Sequence, residues 1–373
     1  MAERGNRLNR FLDRYIGIPL TLFAALFRRF DRISRQKTKG EKLKVGVICL
    51  GAIGDLLLLS GLMNGIKKLY PESETTLFTS MGNSIAAPLI EGADHVFSFP
   101  VSKFFRMIKA LRKESYDLLI DSTQWARIGA LICAFSGAGW TVGFKAKGEA
   151  RSLAYDESVL HSDLKHEWEN FAALLQTDIA DLKPKLKICG GETENLRANL
   201  PTGEFAVLHT TASGTYKDVK AWKDAYWGEL AAYLTNKGFS VVFSGGEEDR
   251  PSVDKLIREA IPDNEKVFNL AGRLNLEELS VLLKRSKAVI SVNTGIMHLA
   301  ALSGAFTIGL HGPTNPVRWG PVGDRTIALV PKGVKEFPPM KGNKIKDGTS
   351  FTKNIKVSEV TECLNLNPRN SPE

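Results

Sequence analysis

Strand-length apolar runs alternate with longer amphipathic stretches along most of this chain, and that alternation sets the fold class. Leu43–Leu50 (LKVGVICL) predicts a buried strand, Leu56–Leu69 a helix closed by Pro71, and Thr75–Thr79 a second strand. Val96–Phe99, a helix around Lys103–Lys113 and a strand over Tyr116–Asp121 continue the series. A second series opens at Phe205–His209 and runs through a helix over Trp222–Lys237, a strand at Ser240–Ser244, and a helix at Leu276–Arg285. It ends with a strand at Ala288–Val292, a helix at Gly295–Leu302 and a strand at Thr307–Leu310. Strands separated by helices pair in parallel, with helices on both faces of the sheet. The expectation is α/β: two Rossmann-like domains facing a central cleft.

Length agrees, since 373 residues exceed one ordinary domain and suit two. Between the series, Lys183-Pro184, Gly190-Gly191, Pro201 and Gly203 break the pattern, so residues 178–203 read as a connection. The expected layout is an extension over 1–42, a first domain over 43–177, a second over 204–330, and a basic loop with a short helix near Val357–Leu364 over 331–373. The four cysteines are scattered without pair spacing or a histidine cluster. A zinc site and a disulfide-dense secreted fold are therefore not expected.

Charge is concentrated at one end. Residues 1–40 hold ten Lys or Arg against three acids, a net +7 of the chain's +9. The nearly neutral remainder argues against nucleic acid as a partner. Within that end, Tyr15–Phe27 carries no charge, and thirteen residues fall short of the roughly 20 that span a bilayer. Arg28-Arg29 and Arg32 follow directly, where a secretory signal would place small residues. Two readings stand side by side. One is an amphipathic anchor over residues 1–36 on an anionic membrane surface, removable without harm to the two domains. The other is a helix packed on the protein itself, whose deletion destabilises the fold.

Five segments sit where strands end, the usual place of an α/β ligand crevice. Gly51-Ala52-Ile53-Gly54-Asp55 is a glycine turn opening a helix, and it lacks the G-x-G-x-x-G of dinucleotide enzymes. Asp55 suits a helix N-cap, and at such a crevice also a general base. At Asn293-Thr294-Gly295-Ile296-Met297-His298, backbone N–H groups of a helix start face an anion, and His298 follows one turn later. Lys220 with Thr210 and Thr211 suits a diphosphate. Glu247 and Glu248 follow a strand where an acid holds ribose hydroxyls in nucleotide folds. The loop His311–Pro316 reads most simply as a turn.

Taken in order, Gly54-Asp55, Lys220-Ala221-Trp222, Asn269–Leu279 (N-L-A-G-x-x-x-L-x-E-L), Asn293–Ala300 (N-T-G-x-M-H-L-A) and Gly312–Pro316 (G-P-T-x-P) resemble glycosyltransferase family 9, the lipopolysaccharide core heptosyltransferases. The resemblance covers about residues 43–325. It implies a GT-B fold, with the acceptor bound mainly by the first domain and the nucleotide sugar by the second. It further implies inverting transfer of a heptose from ADP-heptose to a lipid-linked core acceptor, with no metal and no cofactor. Asp55 would be the catalytic base, and Thr210, Thr211, Lys220, Thr294, Gly295 and His298 would hold the donor diphosphate. Glu247 or Glu248 would hold the ribose, Leu274 would lie beside the adenine, and Asn293 would face the donor sugar. Many members have Asp where this chain has Asn293. Another nucleotide sugar, or a GT-B epimerase without an acceptor, are the competing readings. The expected location is the cytoplasmic face of the inner membrane, as a peripheral protein.

Overall fold

The computed structural model describes residues 15, 17–34, 42–124, 126–145, 149–177, 181–188, 191–212, 217–262, 264–334, 337 and 352–365. The chain divides into two compact units, Met1–Lys187 and Ile188–Glu373. The first holds the parallel strands β1 (Lys44–Cys49), β2 (Glu74–Ser80), β3 (His95–Phe99), β4 (Leu118–Asp121), β5 (Trp140–Lys145) and β6 (Glu157–Leu160). The second holds β7 (Phe205–His209), β8 (Ser240–Ser244), β9 (Val267–Asn269), β10 (Ala288–Val292), β11 (Thr307–Leu310) and β12 (Thr326–Leu329). The sheets run β3-β2-β1-β4-β5-β6 and β12-β11-β10-β7-β8-β9. Both are the doubly wound order, so each unit reverses direction once, between β1 and β4 in the first and between β7 and β10 in the second. A crevice at the carboxyl ends of those two strands is where such sheets take ligands.

The central strands carry apolar residues on both faces because helices cover both, and β7, β8, β10 and β11 are buried throughout. Helix Ile53–Leu69 is buried almost all round. Gly61 lets it approach the backbone of Leu182, which any Cβ would strike. That contact draws part of the expected connection into the first unit. Leu186 bridges Ile90, and Lys185 N–H donates to Ser60 Oγ at 3.0 Å. Helix Glu194–Asn199 belongs to the second unit, where Thr193 Oγ1 donates to Glu278 at 2.5 Å. The 178–203 connection is thus shared out, with the changeover at 187/188. The Trp222–Lys237 helix is also revised: a single turn, Lys217–Lys220, precedes helix Asp224–Asn236. The lysine-rich loop lies mostly outside the described residues, but the terminal helix Val357–Asn365 is present. Its segment is built into the second core, where Ile355, Val357, Val360 and Leu364 join Trp222 and Trp227. The Trp222 indole N–H donates to Ile355 O at 2.9 Å.

The N-terminal extension corrects the removable-anchor expectation. Residues Gly17–Ser34 form a helix whose Gly17, Thr21, Ala24 and Arg28, spaced by three or four, are buried. Ala24 joins the core of the first unit, and the Phe27 ring lies 4.9 Å from that of Phe135. Arg28 Nη2 reaches Asp156 Oδ2 at 2.6 Å, with both side chains 5% exposed or less. The same carboxylate accepts from Thr141 N at 2.8 Å and Thr141 Oγ1 at 3.0 Å. This helix is part of the first unit.

Candidate active site

Asp55 stands at the third residue of its helix, not at the N-cap as expected; Ala52 holds the cap position. Its Oδ2 accepts the Ala52 N–H at 2.5 Å, which satisfies a backbone donor that the first turn leaves open. Gly51 is required for this placement, since a Cβ there would lie 2.7 Å from both Cβ and Cγ of Asp55. Oδ1 accepts from the Gln124 side-chain amide at 3.1 Å. Asp55 follows β1 and Gln124 follows β4, so the pair straddles the reversal point of the first sheet. With Asp55 at 5% and Gln124 at 7% exposure, their bond is little diluted by water.

Gln124 was not among the sequence candidates. No motif marks it, and the available signal was its position just beyond a central strand. The loop carrying it is firmly held. Ser122 Oγ donates to Ile48 O at 2.7 Å, and Thr123 Oγ1 to Asp121 Oδ1 at 2.6 Å. Asp121 in turn accepts from Arg151 Nη2 at 3.1 Å and from the Tyr155 hydroxyl at 2.5 Å. Burial pushes the Tyr155 phenol well above its ordinary range, so it remains a proton donor. Arg151 and Asp121 are fully buried, a costly arrangement unless the charges are paired. Here the pair anchors the loop that presents Gln124 to Asp55.

In the second unit the sequence candidates gather around the β7/β10 reversal. Lys220 Nζ donates to Asn293 O at 3.2 Å, joining the segment beyond β7 to the loop after β10. Thr210 and Thr211 follow β7 directly and are half-buried. Thr294 caps helix Gly295–Leu302 in extended conformation, with no side-chain bond to the helix. The first N–H groups of that helix therefore point outward with their partial positive charge. His298 lies buried within the helix.

Asn293 is explained by its neighbours. Its Nδ2 donates to Trp319 O at 3.1 Å and lies 3.1 Å from His311 Nδ1. A carboxylate at 293 would set oxygen against the Trp319 carbonyl, because it has no hydrogen to donate. The loop His311–Pro316 is accordingly more than a turn: its His311, with Trp319 beyond it, holds the Asn293 side chain. Behind it, Gly312 sits against Thr352, leaving no room for a Cβ.

The two acids after β8 separate clearly. Glu247 lies across Gly272, whose φ of +71° and lack of Cβ make space for it. It thereby borders the turn that carries Leu274. Glu248 instead folds back over Gly246. Burial depresses the His209 pKa to about 4, so this ring behind Thr210 is neutral at ordinary pH and lies 3.1 Å from Ser244 Oγ.

Known proteins carry the same organisation. The model of "Glycosyltransferase family 9 (heptosyltransferase)" matches residues 104–344, more than half of the chain. A lipooligosaccharide heptosyltransferase 2 of Haemophilus influenzae is 26% identical over 314 residues, covering 74% of this chain and 85% of that protein. A lipopolysaccharide heptosyltransferase 1 of Escherichia coli is 29% identical over 231 residues, covering 59% and 68%. Among solved structures, the E. coli ADP-heptose lipopolysaccharide heptosyltransferase II superposes with a TM-score of 0.70 at 19% identity, covering 87% of this chain and 98% of that one. An E. coli heptosyltransferase solved with ADP gives 0.66 at 21%, covering 87% and 100%. These likenesses establish the GT-B fold. With its two doubly wound units and a family model matched over most of its length, the chain belongs to glycosyltransferase family 9, the heptosyltransferases, and is a glycosyltransferase.

Proposed function

We propose that this enzyme transfers a heptose from ADP-heptose to a lipid-linked lipopolysaccharide core acceptor, with inversion and without a metal ion. The observation that carries the reading is the buried Asp55 carboxylate, held by the Ala52 N–H on one oxygen and the Gln124 amide on the other. A carboxylate so held is oriented to take the proton of an acceptor hydroxyl. As that oxygen bonds to the anomeric carbon, the carbon–phosphate oxygen bond breaks and ADP leaves on the opposite side. One displacement inverts the centre. The second unit meets the charge on the departing diphosphate with the Lys220 ammonium and the N–H groups at the start of helix Gly295–Leu302. Thr210, Thr211 and His298 add polar contacts to the same group. Glu247, rather than Glu248, takes the ribose, because it borders the Leu274 turn.

ADP-heptose is supported as donor by a solved relative holding ADP-2-deoxy-2-fluoro heptose. The acceptor is presented on the cytoplasmic face of the inner membrane, where the protein works as a peripheral enzyme. The test combines purified protein, ADP-heptose, a truncated lipid acceptor and a chelator, with the product's anomeric configuration read by NMR. Inverted product, unaffected by the chelator, is expected. Asp55→Asn, whose amide oxygen can still accept the Ala52 N–H, should lower turnover roughly 10²–10⁴-fold while keeping most of the stability. Near-normal turnover in that variant places the base elsewhere, and loss of activity to the chelator removes the metal-free part.

A further inference from the structure

The face of helix Gly17–Ser34 opposite its buried stripe is also apolar. Pro19 is exposed there, and Leu22, Leu26 and Phe30 repeat at four-residue spacing with exposures of 46%, 60% and 72%. A helix apolar on both faces needs a second covering, since a water-facing side would carry polar residues. Its neighbour supplies charge. Helix Phe104–Glu114 touches it through Arg112, whose guanidinium lies 5.8 Å from the Phe27 ring centroid and donates to Phe135 O at 2.8 Å. On this second helix and the residue before it, Lys103, Arg106, Lys109 and Lys113 are all exposed. Phe105 projects among them at 72% exposure. Helix Phe104–Glu114 follows β3, so its first turn, with Phe105, lies at the carboxyl edge of the sheet that also carries Asp55.

We infer that these two helices form one membrane-facing surface, in which Leu22, Leu26, Phe30 and Phe105 enter the lipid boundary while the lysines and arginines meet anionic headgroups. An apolar ridge beside a row of cations matches an anionic bilayer, where hydrophobic insertion and headgroup attraction add. A protein partner or a second copy of this chain has no comparable need for an unbroken positive row. One face of helix Gly17–Ser34 is committed to the first unit through Ala24 and Arg28, so the helix lies on the surface as a fixed part of the enzyme. The inference rests on the peripheral location proposed above and names the surface that makes the attachment, which would bring the lipid anchor of the acceptor to the Asp55 edge.

Flotation of the full-length protein with phosphatidylcholine vesicles, and with vesicles containing phosphatidylglycerol, tests it without donor or acceptor. Failure of the transfer reading therefore leaves the result untouched. The parent should float with the anionic vesicles and release in high salt. Arg106→Gln/Lys109→Gln should weaken that binding roughly 25-fold, about five-fold for each cation removed. Leu26→Ser/Phe30→Ser should weaken it roughly ten-fold or more on every vesicle, and melting curves of both variants should match the parent. Parental binding in both variants, or no binding by the parent, overturns the inference. So does self-association in sedimentation velocity that Leu26→Ser/Phe30→Ser disperses while the parent ignores vesicles, since the face would then join copies of the chain.

Discussion

Removing one member of the Arg28–Asp156 pair should destabilise the first unit, and the two partners should not be equivalent. Both side chains are nearly excluded from water, and deleting half of such a pair costs about 3–5 kcal/mol because the other charge stays buried alone. Arg28→Met keeps much of the stem and leaves Asp156 with two donors from Thr141, which places it near 3 kcal/mol on that scale, roughly. Asp156→Ala leaves Arg28, among the described residues, with the Gly139 carbonyl at 3.3 Å and no partner for its Nε and Nη1. It belongs near the upper end, about 5 kcal/mol. At about 2–4 °C per kcal/mol for a unit of this size, the calorimetric transition should fall by roughly 6–12 °C for the first variant and 10–20 °C for the second. The double variant leaves no lone charge and should cost clearly less than the sum of the two. Single variants within about 0.5 kcal/mol of the parent, the range of an ordinary surface change, would refute the argument. An additive double variant would refute it as well.

Gln124→Leu should lower kcat roughly 10–150-fold, the worth of one hydrogen bond to a charged group, while the donor KM stays put; an unchanged kcat would show that Asp55 is oriented without Gln124. Lys220→Ala should raise the donor KM by an amount equivalent to about 1.5–3 kcal/mol, unrelieved by magnesium, and a normal KM would remove Lys220 from the diphosphate. The pH dependence of stability follows from His209, which burial holds neutral down to about pH 4. The unfolded ring takes a proton below about 6.5, so this contribution is complete above that pH. It is lost as pH falls through about 4, amounting to about 3 kcal/mol. His209→Gln should flatten the denaturation midpoint between those pH values, and a parental slope would assign the effect to other groups.

The apolar runs made the sheets legible, because a strand buried on both faces has few other forms: β7, β8, β10 and β11 lie where the pattern puts them. The positions of Thr210, Thr211, Glu247, Glu248 and Thr294 just beyond strands were legible too. What stayed hidden depends on pairing across distance. Gln124 acts on Asp55 through a contact spanning 69 positions, and the Asp121–Arg151–Tyr155 group that holds its loop leaves no local spacing to read. Asp55 looked like an N-cap because Asp at a helix start usually caps, yet the turn begins three residues earlier at Ala52. The Gly17–Ser34 helix is a different case. Apolarity on both faces announces that both are covered, but the face that meets the protein is decided by distant partners such as Phe135 and Asp156, 128 positions away from Arg28.

The built-in terminal segment gives the two units different fates during synthesis. Every strand of the first sheet precedes residue 161, and the unit is complete at Lys187, so it can close while the second is still being made. The second cannot follow suit. Its core includes Ile355, Val357, Val360 and Leu364, and the Trp222 indole waits for the Ile355 carbonyl. Until that last stretch leaves the ribosome, an apolar wall beside Trp222 and Trp227 stands open, the kind of exposed surface on which nascent chains aggregate. The second unit is thus the last to mature, and premature termination anywhere after residue 187 leaves a finished first unit attached to an unfinished partner.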